Sequence, residues 1–265
     1  MIDLPDGRQL EAQWWGPGPE AAPSLVLLHQ GLGSVSLWGE FPARLAAATG
    51  CGVLAYSRLG YGQSDPRPLP WQPDYLQDEA RAVLPRLLDA AGVRRCVLIG
   101  HSDGGSIAAI HAGTVEDARV RGAVLLAPHF IVEAITRAGV QATRERWEAN
   151  GRMRQRLAPH HRDPDLAFHG WNDAWIDPAF AESFDLRPEL AGLRVPMLVI
   201  QGEADIYGTP EQLRIAERAA PALVRTLLLP GIGHAPQDEA PEAVLAAVRG
   251  FLGKVLSPEG VREKG

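Results

Sequence analysis

Three polar residues stand where acyl-transfer chemistry would need them. Ser102 lies in Gly100-His101-Ser102-Asp103-Gly104, directly after the apolar run Cys96-Val97-Leu98-Ile99 and directly before a stretch of small residues. A serine presented on such a strand-to-helix turn has a strained backbone and needs small neighbours, so that strand and helix can close together. Gly100, Gly104 and Gly105 supply that room. At a helix N-terminus the free N–H groups and the helix dipole favour developing negative charge. A serine hydroxyl is a weak nucleophile near neutral pH and needs a base within hydrogen-bond reach. His234, in Pro230-Gly231-Ile232-Gly233-His234, is the candidate base, in a glycine-rich loop after an apolar run. A carboxylate must hold that imidazole in the right tautomer and stabilise its charged form. Asp205 follows Val199-Ile200-Gln201-Gly202 closely enough to serve, with Glu203 as the rival acid. Asp103 is a rival nucleophile, offset by one residue from the turn.

Each of these residues has an ordinary explanation on its own: a capping serine, a turn aspartate, a solvated histidine. Their joint placement is what counts. All three follow the C-terminal ends of successive strand-like runs, where open α/β sheets carry their sites. Those runs are Ser24–Leu28, Gly52–Tyr56, 95–99, 122–126, 196–200 and Val224–Leu229. Near-continuous apolar strands are buried on both faces, as in parallel sheets covered by helices. Helix-like stretches alternate with them, from about 37 to 48, 75 to 91, 102 to 112 and 240 to 255; Pro85 should kink the second or mark a break in it. The pattern predicts an α/β fold, a mostly parallel open sheet flanked by helices on both faces. Gln9 to Trp15 should add antiparallel edge strands. From about Phe130 to Leu190 the chain turns polar and rich in Arg, His and Trp, which reads as a helical insertion. The expected division is a core of residues 1–129 and 191–265 with a helical cap at 130–190. The polar tail after Ser257 is expected to fray.

Composition narrows the partners. With 265 residues, 46% hydrophobic and 22% charged, the chain can bury a full-sized core. A net charge of −6 argues against affinity for nucleic acid or anionic membranes. Cys51 and Cys96 sit beside strand-like residues and read as buried thiols rather than a disulfide. The N-terminus lacks the basic start and apolar core of a secretory signal, and no apolar run reaches membrane-spanning length, so a cytoplasmic location is the default expectation. No P-loop, haem motif or Schiff-base lysine signature appears, so no cofactor is implied. Gly31-Leu32-Gly33 fails as a dinucleotide fingerprint because Ser36 holds the place of the third glycine. His160, His161, Asp163, Asp165 and His169 fit no structural zinc spacing and read as a solvated polar face.

From Leu10 to about Leu256 the sequence resembles the α/β-hydrolase superfamily. The segments that carry the resemblance are Leu27-Leu28-His29-Gln30-Gly31-Leu32-Gly33-Ser34, Tyr56 to Ser64, the Gly100 to Gly104 turn, Gly202-Glu203-Ala204-Asp205 and Gly233-His234. The chain order Ser, Asp, His agrees with that superfamily. The likeness is to the esterase, enol-lactonase and carbon–carbon bond hydrolase branch rather than to the epoxide hydrolases, which carry Asp where this chain has Ser102. It implies an oxyanion hole built from the N–H of Asp103 and one from the loop after the third strand. Here that loop is one residue longer than usual, which carries the second donor to Leu32, with Gly31 as the alternative. Two such donors would each supply about 3 kcal/mol of transition-state stabilisation. His29 and Arg58 read as structural groups of their loops.

The block from Arg154 to Phe184 resembles a cap. Trp171, Trp175 and Phe168 are the candidate substrate-pocket residues, while Trp147, Phe180 and Phe184 join them as aromatics that either line the pocket or fasten the cap. The expected function is hydrolysis of a small ester, lactone or similar acyl substrate. The same residues serve carbon–carbon bond hydrolysis of a ring-fission product, cofactor-free perhydrolysis or haloperoxidation, or a ligand-binding receptor on the same scaffold.

Overall fold

Alternation along the strands divides the interior into two apolar layers, and these enclose the sheet that carries the site. A computed structural model describes residues 1–256 of the chain; the polar tail after Ser257 lies outside the described residues. A two-stranded antiparallel ribbon is formed by β1 (Ile2–Asp3) and β2 (Gln9–Leu10). The main sheet contains β3 (Ala12–Trp15), β4 (Ser24–Leu28), β5 (Gly52–Tyr56), β6 (Cys96–His101), β7 (Val120–Leu126), β8 (Met197–Gly202) and β9 (Val224–Leu229). Their order is β3-β5-β4-β6-β7-β8-β9, with β3 antiparallel to β5 and every other pairing parallel. The antiparallel edge expected from Gln9 to Trp15 is therefore present. Every residue of β4, β5, β6 and β8 is buried, which explains their unbroken apolar runs.

Successive residues point to opposite faces. Val26, Leu28, Leu54 and Leu98 enter one core layer, with α2 (Tyr75–Asp78), α3 (Leu84–Ala90) and α4 (Asp103–Thr114) packed on it. Leu25, Leu27, Val53 and Ile99 enter the other, beneath α1 (Phe41–Thr49) and the C-terminal α12, Pro241–Val255. Between β7 and β8 the chain forms α5 (Ala134–Asn150), α6 (Arg152–Leu157), α7 (Pro164–Ile176), α8 (Pro178–Ser183) and α9 (Arg187–Ala191). The remaining helices are α10 (Glu211–Ala219), before β9, and α11 (Pro236–Glu239), before α12.

One local expectation needs correction. The stretch from 37 to 48 is not one helix: a 3-10 turn at Val35–Trp38 precedes α1, and Gly39 separates them. Around Pro85 the regular α-helix is interrupted, the second of the two outcomes expected there. Pro85 has no N–H to donate to the preceding turn, and a π-helical turn at Glu79–Val83 widens the helix just before it. Cys51 and Cys96 are buried free thiols. Among the described residues no helix is long and apolar enough to cross a membrane.

Sheet order fixes where a site can form. From β4 the chain moves outward to β5, then returns across β4 to β6 and continues the other way. The order reverses between β4 and β6, and the crevice beyond the carboxyl ends of two such strands is where α/β sheets bind ligands. The two loops that meet there begin at His29 and Ser102.

Candidate active site

Ser102 terminates β6 in a conformation most residues avoid, φ 52° and ψ −116°. The fold holds it there by close approach of backbone on both sides. A β-carbon on Gly100 would lie 2.1 Å from the Gly104 carbonyl oxygen, and one on Gly104 would lie 1.9 Å from that of Leu28. Only glycine fits at either position, so the tight turn and the packing of α4 against β4 are written into the sequence together. The Ser102 N–H donates to the Leu126 carbonyl at 2.9 Å, which fastens the turn to the neighbouring strand.

The loops after β8 and β9 bring the other two residues to it. His234 Nε2 is 3.0 Å from Ser102 Oγ, and His234 Nδ1 is 2.8 Å from Asp205 Oδ2. A carboxylate at Nδ1 keeps the ring proton on that nitrogen, which leaves the Nε2 lone pair to accept from the serine. The Asp205 side chain is buried and fully engaged. Its Oδ1 accepts from the Tyr207 N–H at 2.8 Å, and its Oδ2 accepts from Gln201 Nε2 at 2.6 Å. Burial alone would raise the Asp205 carboxyl, but the hydrogen bond and charge of His234 and the Tyr207 N–H together hold it below its ordinary value. Glu203 points elsewhere, with Oε2 accepting from the Gly231 N–H at 3.4 Å. The rival nucleophile is also turned away. Asp103 Oδ2 accepts from Tyr75 OH at 2.7 Å and pairs with the buried Arg58 at 3.3 Å.

Several positioning groups were not singled out by sequence. His101 Nε2 donates to the carbonyl of His234 at 2.7 Å, and its Nδ1 accepts from Gln237 Nε2 at 3.2 Å. This buried imidazole thus pins the backbone of His234. Burial, with the neighbouring His234 adding to it, lowers His101 to about 3. His129 is likewise lowered, chiefly by burial, to about 4; it lines the cavity and packs edge-on against Trp175. The motif Gly-His-Ser-Asp-Gly contains His101 but gives no sign of a contact with a loop so far away in the sequence. Tyr207 packs beside His234, ring centroids 4.7 Å apart, and only its closeness to Asp205 in sequence could have suggested it.

Above Ser102 lies a cavity of about 670 Å³. Asp103, Gly31 and Leu32, the expected oxyanion residues, all line it. Their loop is held by His29, whose Nδ1 bonds the Gln30 carbonyl and whose Nε2 accepts from the Arg58 N–H, both within 2.9 Å. Arg58 in turn donates to the Gln30 carbonyl at 3.2 Å, so it ties this loop to Asp103. From the other side, His161 Nε2 donates to the Leu32 carbonyl at 3.1 Å while its Nδ1 accepts from the Gly62 N–H at 3.0 Å. His161 is therefore buried and structural, not part of a solvated polar face, because two backbone partners draw it inward. His160 lines the cavity and bonds Ser36 Oγ, and Asp163 caps α7.

Trp171 and Trp175 line the cavity. Trp171 lies so close to the loop after β4 that a β-carbon on Gly31 would sit 2.1 Å from its Nε1. Phe168 does not line the cavity. Its ring is buried, stacked on Trp147 at 4.0 Å between centroids and 4° between planes, because it faces α5 from α7. Phe180 and Phe184 stack on each other and against Trp175, so they support the cavity wall from behind.

A family model described as the Alpha/beta hydrolase family matches residues 25–247. The polyketide synthase ThaQ of Burkholderia thailandensis is 29% identical over 97% of this chain, which spans 13% of that protein's length. Among solved structures, the enol-lactonase of Burkholderia xenovorans is 24% identical, with 93% of this chain and 97% of that chain aligned at a TM-score of 0.69. A structure from a study of carboxylesterases of Nitrososphaera gargenis is 18% identical, with 97% and 98% aligned at a TM-score of 0.75. At these identities the structural likeness is one of fold.

Proposed function

The chain belongs to the Alpha/beta hydrolase family, and on that premise we propose that it is a serine hydrolase cleaving a small carboxylic ester, lactone or similar acyl compound. The observation that carries this reading is the relay from Asp205 through His234 to Ser102, at 2.8 and 3.0 Å, opening into a largely apolar-walled cavity. The lactonase and carboxylesterase folds among its structural neighbours agree with it.

In the proposed reaction Ser102 Oγ attacks the acyl carbon while its proton passes to His234 Nε2. Negative charge collects on the former carbonyl oxygen. The N–H of Asp103, at the start of α4, and that of Leu32, or in its place Gly31, stabilise it. The carbon–leaving-group bond then breaks, with His234 returning the proton to the leaving oxygen. Water, deprotonated by the same imidazole, attacks the acyl-enzyme and releases the acid and free Ser102. Throughout, the buried Asp205 carboxylate holds the imidazole orientation and balances its transient positive charge. Residues 130–190 act in this scheme as a cap over a core of 1–129 and 191–265, with Trp171 and Trp175 as the walls that face the acyl group.

A series of p-nitrophenyl esters of increasing acyl length, assayed with the wild type and Ser102→Ala, tests the reading. Turnover should peak at one short or medium length and fall at least about a thousand-fold in the variant. Equal rates in the two proteins would refute it.

A further inference from the structure

We propose that the substrate carries an anionic group, a carboxylate or phosphate, held by Arg146, Arg152 and Arg156 while its acyl carbon meets Ser102. This rests on the hydrolase reading of the same cavity and adds the class of substrate.

All three arginines line the cavity that Ser102 and His234 line. Arg146 comes from the last turns of α5. Arg152 and Arg156 are four residues apart on α6 and so share one face. Among the described residues no carboxylate pairs with any of them. Arg146 bonds only neutral oxygens, Thr143 Oγ1 at 2.8 Å and Tyr207 OH at 3.4 Å. Arg144 and Arg154, on the same two helices but not on the cavity wall, differ. Arg144 pairs with Asp173, and Arg154 bonds both oxygens of Asp165 at 2.9 Å.

The opposing wall offers no compensating anion. Asp103 is the single acidic residue on the lining, and its Oδ2 is already taken by Arg58 and Tyr75. A chain with a net charge of −6 thus keeps three exposed arginines on the lining of a cleft whose single acidic residue, Asp103, is paired with Arg58. Clefts lined by one sign of charge concentrate ligands of the other. Guanidinium groups suit carboxylate and phosphate oxygens, which they bind through paired N–H donors. Arg146 touches Tyr207, whose ring packs on His234, so the cationic wall begins two side chains from the base. Leu32, Val140, Trp171 and Trp175 line the same cavity and offer apolar surface to a short spacer.

Matched esters test the proposal. Mono-p-nitrophenyl adipate against p-nitrophenyl hexanoate places the charge on the acyl side. 4-Acetoxybenzoate against p-tolyl acetate places it on the leaving group. The wild type should prefer the anionic member of one pair by at least about ten-fold in kcat/KM, and the faster pair identifies the side that carries the charge. That preference should shrink about ten-fold in Arg146→Gln or in Arg152→Gln/Arg156→Gln, and shrink with added salt. Arg154→Gln, outside the cavity, should leave both rates as they are. Neutral members preferred in both pairs, or variants that slow both members equally, would overturn the proposal while leaving the hydrolase reading intact. If no ester turns over, the hydrolase reading fails first. Calorimetric titration of monomethyl adipate and 4-acetoxybenzoate into Ser102→Ala then decides the anion site alone. Binding of either that is lost in Arg146→Gln supports the site, and binding of neither overturns it.

Discussion

Gly202→Ala should separate His234 from Ser102 without touching either. A β-carbon at Gly202, the last residue of β8, would lie 2.1 Å from the Gly233 carbonyl oxygen and 2.3 Å from that of Ile232. Both are backbone atoms, so no change of rotamer relieves the contact. Restoring an ordinary van der Waals separation needs the loop to retreat by roughly 1 Å. His234 is the next residue in that loop, with Nε2 3.0 Å from Ser102 Oγ. A retreat of that size takes the pair past hydrogen-bond reach. Misplacement of about 1 Å costs on the order of 100-fold in rate, and overpacking costs about 1–3 kcal/mol. For a chain of this size that is a fall in Tm of about 2 to 12 °C. The assay is kcat/KM on a p-nitrophenyl ester alongside calorimetric melting. Gly253→Ala, inside α12 where a β-carbon meets nothing within 4 Å, is the control and should keep the activity and melt no lower than the wild type. Wild-type activity and Tm in Gly202→Ala would refute the reasoning.

Asp205→Asn should lower kcat about 10⁴-fold with little change in KM, because the amide no longer fixes the imidazole tautomer; steady-state rates within ten-fold of wild type would contradict this. Arg58→Met should cost about 3–5 kcal/mol in urea unfolding, since it strands the Asp103 carboxylate, itself 1% exposed, beside a lost cation. Adding Asp103→Asn to that variant should restore most of the loss, and purely additive losses would disprove the pairing. Acid should destabilise the fold through His101 and His129, which burial lowers to about 3 and about 4. Between an unfolded value of about 6.5 and those folded values the unfolded chain binds more protons, so stability falls as pH falls, by at most about 1.4 kcal/mol per pH unit for each histidine. The lowered Asp205 carboxyl acts in the same direction only further down, because its contribution is lost as pH drops through its folded value. Denaturant titrations at about pH 7.5, 6 and 5 measure the slope, and stability that is flat or rises toward acid would contradict it.

The strands were legible because their burial on both faces leaves a continuous apolar run, as in β4, where all five residues are buried. The turn at Ser102 was legible for a related reason: close backbone approach admits only glycine at Gly100 and Gly104, and that restriction shows in the letters. Contacts between distant loops left no such trace. Nothing near His101 in sequence shows that it would hold the His234 carbonyl, and nothing near His161 points to Leu32. Phe168 and Trp171 both look like cavity aromatics. Their three-residue offset on α7 sends one against Trp147 and the other against Gly31. Around Pro85 the missing N–H made an irregularity readable, but the π-helical turn that precedes it left no mark in the letters.

Reaction with a fluorophosphonate, followed by intact mass and peptide mapping, tests most directly whether Ser102 is made nucleophilic by His234. The wild type should gain one adduct, located on Ser102, and labelling should vanish in Ser102→Ala and slow by orders of magnitude in His234→Ala. An unlabelled wild type, or an adduct on another residue that survives both substitutions, would contradict the account.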